Sequence, residues 1–74
     1  MSRLIRMDQS GHTTLAEWRA EDHASVEAAR ATLAAGLEQG HFAMVSDREG
    51  RAEHIRELPV DASLVILRRP IAGG

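Results

Sequence analysis

Seventy-four residues leave room for one domain, and a chain of this size hides only about 60% of its unfolded surface on folding, so its core must be economical. The absence of cysteine excludes a disulfide framework, a thiolate zinc site and thiol nucleophiles, and with Phe42 and Trp18 as the only aromatics the interior must be aliphatic. A net charge of −2, spread over nine basic and eleven acidic side chains, gives no positive stripe for nucleic acid, and no apolar run approaches the roughly 20 residues of a membrane span.

Ser2-Arg3-Leu4-Ile5-Arg6 is too short and too charged for a secretory signal. The expectation is therefore a cytoplasmic monomer with neither membrane nor nucleic-acid partners. All nine basic residues are Arg, so no side chain offers an amine for acylation.

Residues 2–8 predict a first strand, closed by the turn signal Gln9-Ser10-Gly11, and residues 12–18 predict a second strand that returns as a hairpin. Gly11 suits the positive φ of a bulged turn. Two registers are open: one pairs Ile5 with Leu15, and a bulged one turns Leu4, Ala16 and Trp18 inward. From Asp22 the period changes. Val26, Ala29, Leu33 and Leu37 fall three and four apart, which predicts a helix with one buried stripe, Asp22 as its cap, acidic Glu27 near its positive end and Gly40 as its stop. Gly36 is the flaw in that helix: it is either a close approach to the sheet or a tolerated glycine near a fraying end.

Residues 41–46 predict a third strand, Asp47-Arg48-Glu49-Gly50 a turn, and residues 51–56 a fourth strand, with Phe42 opposite Ile55 across a four-residue loop. Pro59 interrupts the sheet. The run Leu64-Val65-Ile66-Leu67 is apolar on both faces, as a central strand requires. The predicted fold class is α+β, ββαββ(β), with one helix across a mixed four- to five-stranded sheet and the last strand parallel to the first. Residues 1–69 form the domain and residues 70–74 a flexible tail.

That order, the turn Asp8-Gln9-Ser10-Gly11-His12 and the ending Leu64-Val65-Ile66-Leu67-Arg68-Arg69-Pro70-Ile71-Ala72-Gly73-Gly74 resemble the ubiquitin-like β-grasp superfamily. The Pro-Ile-Ala-Gly-Gly ending is similar to that of the bacterial sulfur carriers of the thiamine and molybdopterin pathways. The resemblance covers the whole chain, and its specific part is the tail. It implies that an E1-like enzyme uses ATP to adenylate the carboxylate of Gly74, which then becomes a thioester, an isopeptide bond or a thiocarboxylate. Gly73 and Gly74 are then substrate atoms of a protein that is not itself an enzyme. Without Cβ atoms, both residues fit a narrow channel that a side chain would block.

Three functions follow. The first is a modifier joined to amines of target proteins, the second a sulfur carrier working with a sulfur-transfer enzyme, and the third a non-covalent interaction module. The modifier is favoured because Arg68 and Arg69 precede the tail, where they meet acidic residues of the activating enzyme. The sheet face away from the helix is the expected docking surface. His12, His23, His41 and His54 lack ligand spacing, so no metal or cofactor is expected. Glu17 with Glu21 and Glu49 with Glu53 read as solvated charges.

Overall fold

The computed structural model describes residues 1–46 and 50–69, and in these the predicted elements fall in the predicted order. They are β1 (Ser2–Asp8), β2 (Gly11–Trp18), α1 (His23–Glu38), β3 (Phe42–Ser46), β4 (Ala52–Ile55) and β5 (Leu64–Arg68). The five strands form one sheet in the order β2-β1-β5-β3-β4. Of the strand pairings, β1 with β5 is parallel, and the two hairpins and β3 with β5 are antiparallel. The apolar run of β5 therefore lies at the sheet centre, and the helix packs on one face of the sheet.

The first hairpin adopts the bulged register. Leu4 pairs with Ala16, whereas Ile5 pairs with Thr14, so Leu15 is the extra residue on β2. Gly11 closes the turn at φ 124°, a region that disfavours any residue with a Cβ. Beyond the bulge, Trp18 turns to the helix side, where it is 1% exposed and donates its Nε1–H to the Val60 carbonyl at 3.1 Å.

Asp22 caps α1 as expected, its carboxylate accepting from the Ser25 amide at 3.3 Å, and Gly40 follows the helix end at φ 92°. Glu27 is a correction: it lies beyond the first turn, which holds no acidic residue, and it sits 3.8 Å from His23 Nε2 and 3.9 Å from an Arg30 nitrogen. Its role is local pairing on the helix surface and not service to the helix dipole. Val26, Ala29 and Leu33 meet Leu4, Trp18, Ala43, Leu58, Val65 and Leu67 in one core, and Leu37 packs at its margin.

Gly36 is buried and marks a close approach. A Cβ there would stand 2.7 Å from Leu67 Cδ1 and 3.2 Å from Cδ2, and Leu67 is 1% exposed. The Gly36 carbonyl also accepts from the amides of Gln39 and His41, at 3.2 and 3.1 Å. Gly36→Ala gains about 1 kcal/mol of helix propensity, yet it must push a confined methyl aside, and overpacking costs about 1–3 kcal/mol. Urea denaturation should show a net loss of about 1 kcal/mol. Removing the clash should reverse the sign: in a Leu67→Val background, Gly36→Ala is expected to be neutral or stabilising.

The second hairpin is a correction as well. Ala43, not Phe42, faces Ile55, and Ser46 faces Ala52, so the connection is one residue longer than the predicted four. The turn residues 47–49 lie outside the described residues. The shift of one position places Ala43 in the core and sends Phe42 to the opposite face. His41 belongs to the helix end and not to the strand, since its amide and its Nδ1 both approach the Gly36 carbonyl.

Candidate functional site

Strand pairing assembles the sheet face that α1 leaves uncovered. Ile5, Ile66, Met44 and His54 are successive cross-strand partners on β1, β5, β3 and β4. A second row runs Met7, Arg68, Phe42 on β1, β5 and β3. Leu64, paired with Arg3, extends the face at its far end. None of these side chains belongs to the core cluster, because each stands on the parity opposite to Leu4, Val65 and Ala43.

The face is apolar but only partly hidden. Ile5 is 8% exposed although it lies outside the core, because it is hemmed in by neighbours of its own face; Met7 and Leu64 remain 37% and 41% exposed. Phe42 stacks on His54 with centroids 5.4 Å apart and planes 5° from parallel, which fixes the orientation of both rings. Water still reaches this largely apolar face, in which Arg3 stands beside Leu64 and Arg68 between Met7 and Phe42.

One end of this face is the root of the tail. Because β1 and β5 run parallel, the end of β5 lies beside the β1–β2 turn, and antiparallel β3 starts at the same edge. Arg68 stands between Met7 and Phe42 in register, and Arg68 and Arg69 are both exposed. The two arginines named from sequence are thus at the sheet edge from which the chain continues. Gly73 and Gly74 lie outside the described residues.

The turn beside them is held by Asp8. Its Oδ1 accepts from the Ser10 hydroxyl at 2.6 Å and the Ser10 amide at 2.9 Å, and its Oδ2 lies 3.9 Å from Arg6 Nε. These two hydrogen bonds, aided by the Arg6 and Arg69 charges, hold the Asp8 carboxyl below its ordinary range. A depressed carboxylate contributes stability above its unfolded pKa of about 3.9 and loses it as pH falls through the lower folded value. An NMR titration should find Asp8 ionising below the usual aspartate range, and Ser10→Ala should move its midpoint up.

Sequence reasoning did not name Ile5, Phe42, Met44 or Ile66 as residues of the uncovered face. β3 and β5 are apolar on both parities, so only the pairing register reveals which side chain faces out. Among the described residues no group of three His, Cys, Asp or Glu side chains could hold a metal ion, and no helix is long and apolar enough to cross a membrane. Glu17, Glu21 and Glu53 are exposed. No protein-family model matches the chain, and no curated protein or solved structure matches it.

Proposed function

We propose that the chain is a ubiquitin-like β-grasp protein whose Gly74 carboxylate is activated by an adenylating, E1-like partner for attachment to amines of target proteins. The observation that carries this reading is the central strand. β5 lies between β1 and β3 in a sheet covered by one helix, and the sequence runs from it into Arg68-Arg69-Pro70-Ile71-Ala72-Gly73-Gly74.

The chemistry is that of an acyl carrier. The Gly74 carboxylate attacks the α-phosphorus of ATP and expels pyrophosphate, and the resulting acyl adenylate loses AMP to a sulfur or amine nucleophile. The chain has no lysine and no cysteine, so none of its own side chains competes as a strong acceptor. Arg68 and Arg69 at the tail root supply positive charge for an acidic partner surface, and the apolar face behind them supplies area for docking.

Intact mass spectrometry of the protein from its native host tests the proposal. Covalent adducts joined through Gly74 to target amines support it. A free species in which sulfur replaces one terminal oxygen would instead assign the second reading, a sulfur carrier. A carboxylate unmodified under all conditions would leave the third, a non-covalent module, which the exposed face around Ile66 and Phe42 favours. Arg68→Glu with Arg69→Glu should lower adduct yield about tenfold or more while leaving the melting temperature nearly unchanged, because exposed charges contribute little to stability.

A further inference from the structure

Arg68 and Arg69 are consecutive at the end of β5, so strand alternation sends their side chains to opposite faces of the sheet. Arg68 shares the parity of Ile66 and stands between Met7 and Phe42 on the uncovered face. Arg69 takes the parity of the buried Val65 and Leu67, which is the helix side. On β1, Arg6 and Asp8 share the parity of Leu4 and lie on that same side: Arg6 lines a hollow with Gly36 and Leu67, and its Nε is 3.9 Å from Asp8 Oδ2. Met7 is the register partner of Arg68, so Asp8 and Arg69 come next to each other at the edge where the chain leaves the sheet. The turn holds Asp8 there, since its Oδ1 accepts from the Ser10 hydroxyl and amide at 2.6 and 2.9 Å. Its Oδ2 is left to the guanidinium groups, and the charges of Arg6 and Arg69 both act on it.

We infer that the two arginines have different roles: Arg68 meets the partner from the uncovered face, and Asp8 is a positioning residue that draws Arg69 to the helix side of the edge. Asp8 thereby sets the direction in which the chain leaves the sheet toward Gly74. This role rests on the activation of Gly74 proposed above, whereas the attraction of Asp8 for Arg69 belongs to the free chain. Without the Asp8 charge, Arg6 and Arg69 lose the anion between them, and like charges on one side of one edge repel. Asp8→Asn removes that charge and keeps an oxygen that can accept from Ser10, so the turn survives the substitution.

The test joins NMR of the full chain to adduct yield in the native host. Arg69→Gln should move the titration midpoint of Asp8 up, Arg68→Gln should leave it in place, and Asp8→Asn should shift the Arg69 Nε–H signal. In the host, Asp8→Asn and Arg69→Gln should each lower adduct yield about threefold, and the double variant should lower it no further, because the two residues act as one unit. Asp8→Asn with Arg68→Gln should instead multiply, to about a tenfold loss, with melting temperatures nearly unchanged throughout. An Asp8 midpoint indifferent to Arg69→Gln, one moved equally by both arginine variants, or multiplicative losses for Asp8→Asn with Arg69→Gln would overturn the inference. Wild-type protein that forms no adducts would sink the Gly74 reading, and with it the role given to Asp8; that outcome is distinct, because it leaves the NMR results untouched.

Discussion

Trp18→Ala should destabilise the domain by about 3–5 kcal/mol, the usual consequence of deleting a fully buried large side chain. In a chain of 74 residues that is a third or more of the whole stability, since native domains hold roughly 0.05–0.15 kcal/mol per residue. Trp18 is the largest fully buried side chain and the only aromatic in the core, so no neighbour is large enough to fill the space. It also joins the end of β2 to the 58–62 segment through its bond to Val60. Trp18→Phe separates the two contributions. It keeps much of the ring volume but leaves the Val60 carbonyl without its donor, and the expected cost is about 1–3 kcal/mol. Thermal melts followed by circular dichroism read both variants, at about 4–8 °C per kcal/mol for a domain of this size. A drop of only a few degrees for Trp18→Ala would mean that Trp18 is not a core residue in solution.

Removing Gly73 and Gly74 should abolish every adduct of the protein while leaving its melting temperature unchanged. The asymmetry follows from the proposed activation at Gly74 and from the end of the last strand at Arg68. A milder variant makes the same point more sharply. Gly74→Val keeps the carboxylate but adds a branched side chain beside it, and a channel shaped for two residues without Cβ would reject it. Adduct formation should then fall by orders of magnitude with fold and chain length intact. Because Pro70 follows Arg69, trypsin leaves residues 69–74 on a modified target, a remnant that identifies this chain as the donor. Undiminished adducts from Gly74→Val would place the linkage elsewhere.

The element order was legible in the sequence because the period changes sharply at its boundaries. Val26, Ala29 and Leu33 repeat at helical spacing, and Gly11, Gly40 and Pro59 punctuate the chain where the structure turns. Register was less legible. Phe42-Ala43-Met44-Val45 is apolar on both parities, so hydrophobic alternation cannot choose between Phe42 and Ala43 as the inward residue, and the turn beyond it decides. The extra connecting residue moved Phe42 from an expected core position to the open face. The first hairpin was open in the same way: Gly11 suited a bulged turn, yet two registers remained, and the bulge at Leu15 is what turns Trp18 inward. Of the candidate site, Arg68 and Arg69 could be placed from sequence, whereas the face they border needed four strands brought into alignment.

The parallel pairing of β1 with β5 has a consequence for synthesis. Leu4 and Val65 are sixty-one positions apart, so the strand that completes the sheet centre is among the last parts of the domain to be made. Until it arrives, β1 exposes one unpaired edge and β3 another, and the core between helix and sheet lacks Val65 and Leu67. Long-range pairing of this kind is slow relative to local hairpin closure. A nascent chain stalled before Leu64 should therefore remain open to proteases and chaperones, and it should gain protection only once β5 has been made. Insertion of β5 would thus fold the domain in the same step that brings Arg68 and Arg69 to the sheet edge.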